Sequence, residues 1–243
     1  MAKDGNKRPF NAYIKSKMKS RTGIGPLKSN GKTISDDKGM ANILNSFFSS
    51  VFKKEDISNI PEFRKLTENQ MNNVVFTASE IRKKILALKP FSALGPDGIT
   101  VNILQRQVDS LSIAFECLFT VSMKEGVVPR DWKTANVTPI FKKGSKCQPG
   151  NYQPVSLTSI PCKIMESILR DSIMDHLLKN SLINDTQHGF MTNKSTVTNL
   201  LTFIEKMTLE IDEGNPMDVI YLDFSKAFDL VPNKRLISKL YGH

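Results

Sequence analysis

The run Met217-Asp-Val-Ile-Tyr-Leu222 constrains this chain more than any other stretch. Its nearly continuous apolar, β-branched and aromatic character reads as a strand buried on both faces, and such a strand needs a sheet with cover on either side. It leads straight into Asp223, and Phe224-Ser-Lys-Ala-Phe-Asp229 continues as a turn able to start a helix. An Asp at the end of a rigid strand is a well-held carboxylate. The same residue type is equally at home as a helix N-cap or a solvated strand end, so position alone does not assign it a task.

Most of the remaining pattern is helical. Gly39 to Phe52 places Ile43, Leu44, Phe47, Phe48 and Val51 at helical spacing, and Thr77-Ala-Ser-Glu80 is a start signal for a helix ending near Lys89-Pro90. Val101 to Lys124 reads as one or two helices, and Lys163 to Leu178 and Ser195 to Leu209 as two more. Strand-like sequence is confined to Asn136-Val-Thr-Pro-Ile-Phe141 and to the β-branched, proline-punctuated NYQPVSLTSIP that follows the basic turn KKGSK. The expected fold is therefore α+β and helix-rich. Residues 1–38, with RTGIGPLKSNGKTISDDKG among them, read as a poorly ordered basic linker. The GKT at Gly31 to Thr33 is no phosphate-binding loop, because that motif needs a glycine five residues before Gly31 and Pro26 stands there.

Lys and Arg number 34 against 24 Asp and Glu, a formal net charge of +10, which favours a polyanionic partner, nucleic acid first. The plainer reading of the same surplus is solubility. Cys117, Cys147 and Cys162 form no CxxC pair and have no nearby His to complete a zinc pattern, so they are expected to be reduced thiols. The N-terminus MAKDGNKRPFNAYIKSKMK lacks the apolar run of a signal peptide, and no stretch is long and apolar enough to span a bilayer. A soluble intracellular chain with no membrane partner is expected, and nucleus and cytoplasm both fit.

Taken together, the motifs resemble the reverse transcriptase of non-LTR (LINE-like, jockey-type) retrotransposons. YLDFSKAFD is similar to that family's first catalytic palm motif. KPFSALGPDGI looks like its Lys-x-x-x-x-x-Gly-Pro-Asp-Gly segment, VPRDWKTANVTPIFKKGSK like its fingers strand with a lysine turn, NYQPVSLTS like its Tyr-Arg-Pro-x-Ser-Leu element, and QHGFMTNKST like its Gln-x-Gly-Phe-Arg-x-x-Arg-Ser-Thr stretch. The resemblance implies the fingers and incomplete palm of a right-hand polymerase. Residues 39–130 would be a helical segment leading into fingers at 131–216, and 217–243 would be the start of the palm. It also implies template-directed nucleotidyl transfer, with an RNA template, a DNA primer, deoxynucleoside triphosphates and Mg2+.

Site residues follow from the same resemblance. Asp223 would be the catalytic carboxylate and a magnesium ligand, with the backbone carbonyl of Phe224 beside the second metal. Phe228 would be a steric gate against the ribose 2′-OH. Lys142 and Lys143, with Lys146 on the same glycine turn, would meet the triphosphate, as mobile point charges suited to it. Read without the family, KKGSK is a solvated hairpin tip and Phe228 a packed aromatic. Some positions depart from the pattern. Gln153 stands where the family usually has a nucleotide-binding arginine, and glutamine has neither the charge nor the fork for phosphate. Met191 and Lys194 likewise replace arginines expected on the template or primer backbone. The second Asp-Asp palm motif and the thumb are not found after Asp223, and one carboxylate does not assemble a two-metal site. The chain is therefore expected to be truncated ahead of that motif and inactive alone, with its last strand unpartnered and its apolar face exposed. The alternative function is a non-catalytic nucleic-acid-binding remnant.

Overall fold

The computed structural model describes residues 24–29, 31–52, 55–224, 227 and 229–242. They fall into two compact units. The described residues up to Ser50, with Pro139–Val155, form the first, and the described residues of Val51–Thr138 and from Ser156 onward form the second.

In the first unit, β1 (Leu27–Ser29) and β2 (Lys32–Ile34) make an antiparallel hairpin with Leu27 opposite Ile34 and Ser29 opposite Lys32. Gly31 turns it with φ +76°, a value that costs glycine nothing. Helix α1 (Asp37–Val51) follows, its first turn tied back by the Asp36 carboxylate, which accepts from the Gly39 amide at 2.7 Å. Strands β3 (Asn136–Phe141) and β4 (Tyr152–Leu157) pair as a second two-stranded sheet, whose turn end belongs to this unit. The core is Leu27, fully buried, with Met40, Leu44 and Tyr152, and Ile24, Ile34, Ile43, Phe48 and Phe141 pack around it. Described residues 24–38 are thus not the linker expected from their composition. Their few apolar residues, Ile24, Leu27 and Ile34, are spaced so that a hairpin turns all of them onto one small core.

The second unit is helical: α2 (Ala78–Leu86), α3 (Val101–Arg106), α4 (Val108–Glu125), α5 (Ile160–Lys179), α6 (Thr196–Asp212) and α7 (Asn233–Tyr241). The start signal at Thr77 is real, since its hydroxyl accepts from the Glu80 amide at 3.2 Å. The apolar stretch from Val101 divides into two helices at Gln107, whose φ of −111° and ψ of 28° leave the helical region. Phe119, fully buried, centres the core, with the Phe76, Phe115 and Trp132 rings 5.5, 5.5 and 5.7 Å away. Ile81 and Ile85 of α2, Leu104 of α3 and Ile160, Ile164 and Ile168 of α5 close around it. Lys84 and Asp171 form an ion pair between α2 and α5. Helix α7 is pinned at both ends to irregular chain. The Glu55 carboxylate accepts from the amides of Lys234 (2.9 Å) and Arg235 (3.0 Å), and the Gly242 carbonyl accepts from the Leu66 amide at 2.8 Å.

Helix α6 forms where the sequence places it, and one expectation for the second unit, the strand at Met217–Leu222, needs correction. In α6 Ser195 and Thr198 cap each other, but none of its residues is buried, and Leu200, Leu201 and Ile204 are more than half exposed. Met217–Leu222 is not a strand: it is irregular chain, with Ile220, Tyr221 and Leu222 exposed by 82 to 85%. The reason is physical. A strand exists through its ladder partner, and neither of the two sheets among the described residues includes this segment. The expected exposure of its apolar side chains is what the structure shows.

Candidate functional site

The lysine turn between β3 and β4 is a built feature. The Lys142 amide donates to the Asn151 carbonyl at 2.9 Å, extending the hairpin by one step, and Gly144 then reverses the chain with φ +85°. The Asn151 side-chain amide donates to the Ser145 carbonyl at 2.9 Å, so it spans the mouth of the turn. The Tyr152 hydroxyl donates to the Lys146 carbonyl at 2.7 Å, and the Lys28 amide of β1 to the Cys147 carbonyl at 2.8 Å. Buried Tyr152 sits edge-on to Phe141 at 5.6 Å, and the Lys146 ammonium lies 5.5 Å above the Phe141 ring. The backbone of the turn is therefore fixed by the small core beneath it, while the Lys142 and Lys143 side chains are exposed and, among the described residues, have no acidic partner. Gln153 is exposed on the side of β4 opposite Tyr152, so it and Lys142 both lie off the core side of the hairpin. Sequence reasoning chose these lysines but missed Asn151, Tyr152 and the β1–β2 hairpin that support them. A signal for the hairpin was present: Asn30-Gly31 between LKS and KTI is the strongest short-range hairpin pattern.

Two segments singled out separately in the sequence meet in the second unit. Gly95 of GPDGI is buried against the end of NYQPVSLTS so closely that a Cβ there would lie 2.7 Å from the Thr158 carbonyl and the Ser159 amide nitrogen. Ser159, fully buried, is the N-cap of α5. In the QHGF turn, His188 meets the Thr198 hydroxyl at 2.9 Å, and the Lys194 ammonium donates to the Asp185 carbonyl. Lys194 thus braces its own loop.

Asp223 and Phe224 lie in the irregular segment after Leu222; both are exposed, Phe224 by 81%. Phe228 lies outside the described residues. The donors around Asp223 do not fit a metal centre: among the described residues no three His, Cys, Asp or Glu side chains gather closely enough to hold a cation. No helix among the described residues is long and apolar enough to cross a membrane.

Residues 140–242, from the end of β3 through α7, match the reverse transcriptase (RNA-dependent DNA polymerase) family. That segment resembles the reverse transcriptases of non-LTR retrotransposons such as jockey and the X-element. The chain is 23% identical over 217 residues to the probable RNA-directed DNA polymerase of the Drosophila melanogaster transposon X-element, which covers 84% of this chain and 24% of that protein. It is 26% identical over 165 residues to the RNA-directed DNA polymerase of the Drosophila melanogaster mobile element jockey, covering 67% and 18%. To the probable RNA-directed DNA polymerase of the transposon BS from the same organism it is 27% identical over 124 residues, covering 51% and 14%. The chain therefore spans under a quarter of each of these relatives, all of them RNA-directed DNA polymerases of mobile elements. The lysine turn and Asp223 both fall inside the matched reverse-transcriptase segment.

Proposed function

We propose that this chain contributes the nucleotide-gripping turn and one catalytic carboxylate of RNA-directed DNA synthesis by a mobile element. The observation that carries the proposal is the lysine turn: a backbone locked by Asn151, Tyr152 and Lys28 presents Lys142 and Lys143 to solvent with no acidic partner among the described residues. Two ammonium groups on a rigid turn suit a triphosphate, because the positions are set in advance and only the side chains move. On this reading residues 131–216 act as fingers of a right-hand polymerase, residues 39–130 lead into them, and residues 217–243 open the palm. Asp223 would be one ligand of a magnesium ion, and no cluster of His, Cys, Asp or Glu among the described residues completes that site. Phe228 discriminates against the 2′-OH, and Gln153 faces the nucleotide with less grip than an arginine would have. Template RNA, a DNA primer and deoxynucleoside triphosphates are the partners.

A second reading, nucleic-acid binding without catalysis, is favoured by the exposure of Asp223, around which no three His, Cys, Asp or Glu side chains gather among the described residues. One titration separates the two. The chain is added to a labelled RNA template annealed to a DNA primer at several salt concentrations, with extension scored in the same tubes. Both readings expect binding that weakens with salt, and replacement of Lys142 and Lys143 by Ala should weaken binding of a deoxynucleoside triphosphate to the chain. Magnesium-dependent extension that Asp223→Ala abolishes supports catalysis, whereas binding with no extension leaves the binding reading. Unchanged triphosphate binding by the double variant would sink the proposed role of the turn.

A further inference from the structure

We propose that a cavity in the second unit, between α5, α7 and the irregular segment 65–71, holds one unpaired purine base of an RNA strand. The cavity encloses about 480 Å3, within the range of small-ligand sites. Its walls are of two kinds. Leu177 of α5 and Leu240 and Tyr241 of α7 give an apolar side, with the Tyr241 ring 85% exposed, while Asn69 and Gln70 supply amides on the other. A second, more polar cavity of about 490 Å3 shares Asn69 and Gln70 and continues past Asn73 and Ser172 to Lys179, giving the sugar and the neighbouring nucleotide somewhere to go.

Charge decides what class of ligand this groove suits. Its lysines are already engaged: Lys65 pairs with Glu68 at 2.5 Å and Lys179 with Asp175 at 2.6 Å. A phosphate gains little in such a place. A flat, neutral, hydrogen-bonding ring suits it well, stacked on a tyrosine and read along its edge by an amide. Gln70 has no side-chain partner among the described residues, so it offers a donor and an acceptor side by side, the pattern that matches the adjacent amino group and ring nitrogen of adenine. Asn69 is the fixed part of the wall, because its amide donates to the Asn180 side chain at 2.6 Å and so clips the segment to the end of α5. The opposite wall is fixed as well, through Glu55 and the Leu66 to Gly242 bond at the two ends of α7. A pocket held this way is preformed, which removes much of the ordering cost of binding.

The inference rests on the reading of the chain as RNA-handling, and the test keeps the two apart. Affinities of the full 243-residue chain for labelled single-stranded oligoadenylate and oligouridylate are measured against salt, for the parent chain and for Gln70→Ala, Tyr241→Ala and the Lys142, Lys143 double Ala variant. Both pocket positions are exposed, so neither change should disturb the fold. Tyr241→Ala should weaken oligoadenylate about tenfold with the salt slope unchanged, as loss of stacking does. Gln70→Ala should erase the preference for oligoadenylate. The lysine variant, remote from the pocket in sequence, should leave that preference intact. Adenosine monophosphate alone, at millimolar concentration, should shift the Gln70 side-chain amide resonance. If no RNA binds but the monophosphate still shifts that resonance, the RNA reading fails and the base pocket stands. Equal affinity for the two oligonucleotides, or Tyr241→Ala within twofold of the parent, overturns the inference.

Discussion

Replacing Gly144 by Ala tests whether the lysine turn is set by its backbone. The structure supplies two separate costs. The residue sits at φ +85°, where a side chain costs about 1–2 kcal/mol. The new Cβ would also lie 2.7 Å from the Asn151 amide nitrogen, so that side chain must swing away and lose its 2.9 Å bond to the Ser145 carbonyl, about 0.5–1.5 kcal/mol more. The sum is about 1.5–3.5 kcal/mol. It is local, and at about 1.4 kcal/mol per decade it should speed hydrogen exchange of the Lys142 and Asn151 amides about 10- to 300-fold. Gly31→Ala is the internal control. It has a similar φ of +76°, but a Cβ there meets nothing within 4 Å, so only the conformational cost applies. Native-state exchange followed by NMR reads both variants, and deoxynucleoside triphosphate binding by the Gly144 variant should fall with it. Equal effects at the two glycines would refute the steric part of the reasoning. Unchanged exchange in the Gly144 variant, with triphosphate affinity intact, would refute the claim that the turn presets Lys142 and Lys143.

Glu55→Ala removes the carboxylate that receives the first amides of α7, a nine-residue helix too short to stand alone. It should cost about 1–2 kcal/mol of local stability, seen as lost exchange protection across α7 with α4 unaffected, and intact α7 protection would show that packing alone holds the helix. The Cys162 thiol is pushed up from 9.0 to about 11, first by burial and then by the neighbouring Glu166 carboxylate. A group whose pKa is raised by folding stabilises the fold fully below its unfolded value and loses that contribution as pH climbs through the folded one. Stability should therefore decline between pH 9 and 11 in a component that Cys162→Ala removes, and iodoacetamide at pH 8 should label exposed Cys117 well before Cys162. Equal labelling of the two thiols would contradict the burial of Cys162.

By itself the sequence determined the helices and the chemistry-bearing types. The stripes at Ile81 and Ile85 and at Ile164 and Ile168, with the Thr77 cap, are local signals, and local hydrogen bonds realise them wherever the chain goes, so α2 and α5 appear close to where periodicity puts them. The motif order led to a reverse-transcriptase reading that the match over residues 140–242 supports. What tertiary structure decided was everything that needs a distant partner. Leu27 looks like a stray apolar residue in a polar linker until a hairpin packs it beneath Tyr152, over a hundred positions away. Gly95 and Ser159 are two motifs in sequence and one backbone contact in space. Met217–Leu222 has the composition of a buried strand, yet composition supplies no ladder of hydrogen bonds, and without one among the described residues the run that constrained the sequence reading most is exposed chain leading to Asp223. Helical signals are written within a few residues of each other, whereas strands, cores and sites are completed by residues far along the chain.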